Sequence, residues 1–194
     1  MKKGWIALIV VGVILLFVLL WGVGTRNSFV TKTEEVNQRW SQVENVYQRR
    51  MDLIPNLVET VKGSASFEKS TLEGVINARA RATQITVNPT SAQDLQKFQA
   101  AQGEISQALS RLMVVVEKYP DLKSTTAFRD LQSQLEGTEN RIAVERREFN
   151  KAAQEYNRSI QMFPEFLIAN WMGLEKRGYF QADEGAAKPP KVKF

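Results

Sequence analysis

Residues 5–23 read WIALIVVGVILLFVLLWGV, nineteen residues without a charge, fourteen of them Ile, Leu, Val or Phe. At about 1.5 Å of helical rise per residue, such a run is long enough to cross the roughly 30 Å hydrocarbon core of a bilayer. Trp5 and Trp21 stand near its two ends, with Lys2 and Lys3 before it and Arg26 after it. Indole rings and snorkelling cations mark membrane interfaces in this way. Residues 1–25 are therefore expected to form one transmembrane anchor bounded by Trp5, Trp21 and Arg26. A cleaved signal peptide is the rival reading, but the run exceeds the usual apolar length of about 7 to 15 residues, and no small-x-small cleavage site follows it. Basic residues lie on both flanks, Lys2 and Lys3 against Arg26, Lys32 and Arg39, so positive charge does not decide the topology.

The apolar pattern does not stop at the anchor. From Phe29 it continues through Val36, Trp40, Val43, Tyr47, Met51, Ile54, Val58 and Val61, a single helical stripe with steps of three and four from Val36 onward. One rod from Trp5 to about Lys62 would extend about 87 Å. Pro55 falls inside it and costs about 3 kcal/mol against an ordinary helix former, because it removes a backbone donor and crowds the preceding turn. Gly63, Ser64 and Ser66 supply a stop, and a shorter second helix follows to about Gln84, with Leu72, Val75, Ile76 and Ala80. After the loop Asn88-Pro89-Thr90-Ser91, a third helix from about Ala92 to Lys118 carries Leu95, Phe98, Gln102, Ile105, Leu109, Leu112, Val116 and Tyr119. Only Gln102 interrupts its apolar series.

Pro120 closes the third helix, and Ser124 or Thr125 can cap a fourth that carries Phe128, Leu135, Ile142, Phe149, Ala153, Tyr156 and Ile160 to about Met162. Short connections make sequential helices antiparallel neighbours. The expected fold class is all-α: an N-terminal transmembrane helix followed by an extended antiparallel four-helix bundle with a short fifth helix. The bundle domain spans residues 26–172. The fifth helix lies in Phe163–Met172, at the membrane end, where Phe166 and Trp171 are candidate contact residues. That segment either lies in the bilayer interface or, as the favoured reading, folds over the open end of the bundle. The tail 173–194, with Gly178, Gly185 and Pro189-Pro190, is expected to be poorly ordered.

Composition bounds the function. The net charge of +5 falls to +3 once Lys2 and Lys3 of the anchor are set aside, and Lys188, Lys191 and Lys193 of the tail account for the remainder. A near-neutral bundle in which Lys and Arg alternate with Asp and Glu lacks the basic face of a nucleic-acid binder. The chain contains no Cys and no His, which removes thiolate chemistry, disulfides, zinc-thiolate sites and the Glu-x-x-His ligand pairs of di-iron bundles. No phosphate loop or nucleophile elbow occurs. No catalytic residues, metal or cofactor are expected.

Two arginines form the densest charged feature beside the apolar stripe, in Arg49-Arg50-Met51-Asp52-Leu53-Ile54-Pro55-Asn56-Leu57-Val58. This segment, preceded by Trp40-Ser41-Gln42-Val43-Glu44, strongly resembles the LemA family of bacterial membrane proteins. The resemblance continues in order through Lys62-Gly63, Ala78-Arg79-Ala80, Tyr119-Pro120-Asp121-Leu122-Lys123, Leu135–Ala143, Tyr156-Asn157 and Phe163-Pro164. Phe149-Asn150 departs from it, since the family usually has a Tyr-Asn pair there. The resemblance implies a single N-terminal transmembrane helix, an extended helical bundle, a place in the bacterial inner membrane and no established catalytic site.

Arg49 and Arg50 are candidate interaction residues, because guanidinium groups bind phosphate or carboxylate in bidentate fashion. The structural alternative, favoured for both, is a pair with a Glu of the fourth helix. Glu136, Glu139, Glu145 and Glu148 interleave with Arg141, Arg146 and Arg147 and read as a solvated helix face. Buried-looking Gln102 and Thr138 read as polar core residues that set register. The expected function is that of a membrane-anchored scaffold or adaptor. Its partners would be membrane lipid, further copies of itself or an unidentified protein, and no nucleic acid. The alternatives are an enzyme working with carboxylate, Lys or Ser groups, and a lipid-binding, membrane-shaping protein.

Overall fold

The apolar periodicities are realised as six helices in a computed structural model that describes residues 2–63 and 68–182, with side chains from Gly4 onward. Helix α1 (Lys2–Lys62) runs without interruption from the anchor into the domain. Next come α2 (Lys69–Thr83), α3 (Ala92–Val116), the single turn α4 (Pro120–Lys123), α5 (Thr126–Ser159) and α6 (Phe166–Trp171). Among the described residues there is no strand. The expected stop at Ser64 and Ser66, and residues 183–194 of the tail, lie outside the described residues.

The two long helices pair. Trp40 of α1 meets Phe149 of α5 at a ring separation of 5.6 Å, and Arg50 meets Glu139 at 2.9 Å, so rising numbers on one helix face falling numbers on the other. The shorter pair is antiparallel too: Arg81 of α2 donates to Glu104 of α3 at 2.8 Å, and Ser91 caps α3 by accepting from the Asp94 amide. Of the two residues that could cap the fourth long helix, Thr125 does so, accepting from the Phe128 amide at 3.3 Å.

Pro55 sits inside α1 without ending it. Lacking an N–H, it leaves the carbonyl four residues back without its helical donor. That carbonyl belongs to Met51, and it accepts instead from Arg79 Nε at 3.0 Å. A side chain from the neighbouring antiparallel helix thus replaces the missing backbone bond.

The buried stripes agree with the sequence on α1, α3 and α5, where Val36, Val43, Ile54, Leu57, Leu95, Ile105, Leu112, Ile142 and Phe149 are all inside. Helix α2 differs. Ile76, 42% exposed, and Ala80 lie on the outer side, while Leu72, Val75, Ala78 and Ala82 face inward. Alanines at the contact let α2 approach its neighbours closely, and the larger Ile76 is turned to the outside.

The core falls into two clusters along the rod. One, toward the tip, is built on Ile54, Leu57, Val61, Leu72, Leu112 and Phe128. The other, toward the anchor, is built on Phe29, Val36, Trp40, Phe98, Phe149 and Tyr156. Phe180 belongs to the second cluster, only 5% exposed. This corrects the expectation of a poorly ordered tail over its described part. Residues 174–182 leave α6 through Gly173 and run as a non-helical strap along the bundle. The composition signal was real, but an aromatic side chain and a row of backbone bonds hold the strap down.

Candidate interaction site

A polar layer separates the two core clusters, and Arg50 is its centre. The residue is 1% exposed. Its Nη1 donates to Ser106 Oγ at 3.0 Å and to Glu139 at 2.9 Å, while Nη2 donates to the backbone carbonyl and side-chain oxygen of Gln102. Tyr47 lies under it, 5.1 Å from guanidinium carbon to ring centroid. Gln102, the one polar residue in the stripe of α3, is therefore an arginine partner. Thr138, also buried, donates back to the Gln134 carbonyl at 2.7 Å. A buried charge paired and bonded on both Nη groups fixes the height at which α1, α3 and α5 meet, because any shift would strand it. Arg49, its neighbour in sequence, is exposed. Of the two candidate arginines, the fold draws one into the core and leaves the other in water.

Above this layer, toward the anchor, the strap lies in a groove formed by α1, α3 and α5, and three carboxamide side chains read its backbone. Asn157 Oδ1 accepts from the Arg177 amide at 2.7 Å and its Nδ2 donates to the Arg177 carbonyl at 2.8 Å. Asn150 does the same to Phe180, at 2.9 and 2.8 Å. Gln99 does the same to Gln181, both at 3.0 Å, and Arg146 adds a 2.7 Å bond to the Gln181 carbonyl. Each amide side chain stands in for a neighbouring β-strand. The register follows from element geometry: seven residues of helix rise about 10.5 Å, and three residues of extended chain cover about 10 Å. Asn150 and Asn157 are one heptad apart and meet strap residues three apart.

Strap side chains are read as well: the Tyr179 hydroxyl accepts from Asn157 Nδ2 at 2.8 Å, and the Arg177 guanidinium lies 5.2 Å from the Tyr156 ring centroid. The Phe180 ring stacks on Trp40 at 6.2 Å and meets Phe149 edge-on at 5.5 Å, with the Arg146 guanidinium 5.2 Å above it. Gly178 passes so close to α3 that a Cβ there would stand 2.7 Å from Ala92 Cα and 2.9 Å from Leu95 Cδ1. The groove takes glycine and then, two residues on, an aromatic ring. These residues escaped the sequence reading, although a signal was present in the heptad-spaced aromatic–asparagine pairs Phe149-Asn150 and Tyr156-Asn157. In each pair the aromatic residue is in the core and the asparagine beside it faces the strap.

At the anchor end, α6 returns beside α1. Ile168 Cδ1 is 3.9 Å from where a Cβ on Gly22 would lie, and Ala169 is buried. Phe163 and Trp171 point away, 78% and 82% exposed, with Leu167 between them, while Phe166 is half-buried and tilted against Phe163. One face of this segment closes the bundle, as the favoured reading expects, and the other stays bare at the level of Gly22. Trp5 and Arg26 are exposed and Trp21 is half-buried. Trp21 lines an open cleft of about 700 Å³ together with Thr25, Lys32, Glu155, Arg158 and Glu165. The helix carries one stretch long and apolar enough to cross a membrane, and none of it is buried within the protein. Among the described residues, no three His, Cys, Asp or Glu side chains gather as a metal site would require.

The sequence pattern of the LemA family matches residues 39–194. The chain belongs to the LemA family. Its similarity to Magnetosome protein MamQ 2 of Paramagnetospirillum magneticum is 28% identity over 182 residues, covering 84% of this chain and 67% of that protein. Magnetosome protein MamQ of Magnetospirillum gryphiswaldense is 27% identical over the same shares. Protein LemA of Metamycoplasma hominis is 25% identical over 88% of this chain and 78% of its own length. None of these LemA-related names denotes a reaction.

Proposed function

We propose that this protein is a membrane-anchored helical scaffold or adaptor that crosses the bacterial inner membrane once and acts through protein–protein contacts, without catalysis. One observation carries the reading. The apolar run, none of it buried in the bundle, and the core stripe of the bundle are parts of the same unbroken helix, so any force or contact on the domain is transmitted to the bilayer through a single rod. The bare face of Phe163, Leu167 and Trp171 at the level of Gly22 supports a second, interfacial attachment of the domain foot, since indole and phenyl rings favour the headgroup region. The non-enzymatic names of the relatives agree with an absence of catalysis, and two of them are named for a magnetosome.

Two measurements on the full chain in native membranes test this. Carbonate washing should leave the protein in the pellet, and an amine-reactive crosslinker should yield adducts larger than one chain. Release by carbonate would overturn the anchor, and a strictly monomeric chain with no adducts would overturn the scaffold.

A further inference from the structure

The strap groove has the chemistry of a peptide receptor. Gln99, Asn150 and Asn157 each pair with the main-chain N–H and C=O of one strap residue, a mode that suits an extended segment, as an added strand does at a sheet edge. Selectivity comes from side-chain positions, above all a glycine against Ala92 and an aromatic ring on Trp40, with the Tyr179 hydroxyl on Asn157 between them. The segment that fits is Gly-x-Phe, supplied by Gly178-Tyr179-Phe180 of the same chain. We infer that the groove also takes this segment from a second copy, so that neighbouring molecules exchange straps and are joined through them.

Three features point to a second copy as the partner. Every copy carries the matching Gly-x-Phe, and the bonds to Gln181 are on the exposed surface, so the strap end can peel and re-form. The strap joins the bundle at Gly173, whose φ of +65° lies where glycine is unstrained, which makes it a natural pivot. Nine extended residues reach about 30 Å, further than the roughly 10–12 Å width of one helix or of two laid side by side. An anchor in the same bilayer would also hold both grooves at one height and raise the effective concentration of each strap. The inference therefore rests on the scaffold reading and gives it a specific contact.

The chain contains no cysteine, so single cysteines can report the exchange. Gln99→Cys and Gln181→Cys are made in separate full-length chains, co-expressed, and treated in membranes with a short bismaleimide. Exchange predicts a linked dimer carrying one of each variant, and loss of that dimer when Phe180→Ala is added to the Gln181→Cys chain. Absence of the mixed dimer, when a control chain carrying both cysteines is linked within itself, overturns the proposal, as does a mixed dimer that persists without Phe180. A second pair, Asn157→Cys with Arg177→Cys, guards against a variant that fails to fold, and circular dichroism checks helix content in each. In parallel, the amine-reactive crosslinker is applied to the unsubstituted chain. Adducts there without a mixed cysteine dimer would sink strap exchange and leave the scaffold reading standing.

Discussion

Gly178 and Phe180 hold the strap by opposite means, one by having no side chain and the other by burying a large one. A Cβ at position 178 would meet the backbone of α3 at 2.7 Å, and backbone yields less readily than a flexible side chain, so Gly178→Ala should cost about 1–3 kcal/mol of strap docking. Faster trypsin cleavage after Lys176 and Arg177 would report it, and unchanged cleavage would mean the strap is held elsewhere. Phe180→Ala should lower stability by about 3–5 kcal/mol, as a buried aromatic deletion does, measured by urea unfolding. In the polar layer, Arg50→Met removes the donors to Gln102 and leaves its buried amide oxygen without a partner. That penalty is about 1–3 kcal/mol, and adding Gln102→Leu should recover most of it. A double variant as unstable as the single one would show that the amide is not the source of the cost.

Helix α1 shows how an element can run through a residue that should stop it. Pro55 forfeits one backbone bond, and the Met51 carbonyl it leaves open is claimed by Arg79 from α2. The two helices are therefore coupled at a point where neither is complete alone. A double-mutant cycle should detect this. Arg79→Ala alone is expected to destabilise by about 1–2 kcal/mol, whereas in a Pro55→Ala background, where position 55 regains its N–H, the same change should cost close to nothing. Equal costs in both backgrounds would show that Arg79 acts otherwise. The pairing of α1 with α5 needs no such repair, and truncating Ile54, 1% exposed in the core cluster toward the tip, should cost about 2–5 kcal/mol.

Taken as one body, the molecule is a long rod whose core is cut across by a charged layer and whose side is bound by its own C-terminal strap. The stripe that builds the bundle begins at Phe29, beyond the apolar run, so a chain starting at Arg26 should fold to the same all-helical domain. Circular dichroism should give a helical spectrum with a cooperative melt. Its foot would still present Phe163, Leu167 and Trp171 to water, and Trp171→Ser should reduce any self-association of that soluble domain without lowering its helix content. A domain that is unfolded without residues 1–25 would mean that the anchor is part of the core.

The anchor, the helix order and the faces of α1, α3 and α5 were legible because each is a local periodicity: nineteen uncharged residues, then apolar positions every three or four. The family was legible too, in short motifs such as Arg49–Val58. Helical spacing sets Arg50, three residues after Tyr47 and four before Ile54, within the stripe and Arg49 off it, but only the meeting of α1 with Gln102 and Glu139 gives a buried guanidinium its partners. Local pattern could not place Ile76, because the inward face of α2 is chosen by how closely alanines let it approach its neighbours. The strap was the largest gap. Residues 174–182 have no periodicity, their glycine content reads as looseness, and what orders them are carboxamides about 20 to 80 residues away in sequence that the fold alone brings into line. The sequence determined which segments are helices and what faces they own, while the tertiary structure decided which polar groups those faces enclose, because hydrogen-bond partners are set by distance in space.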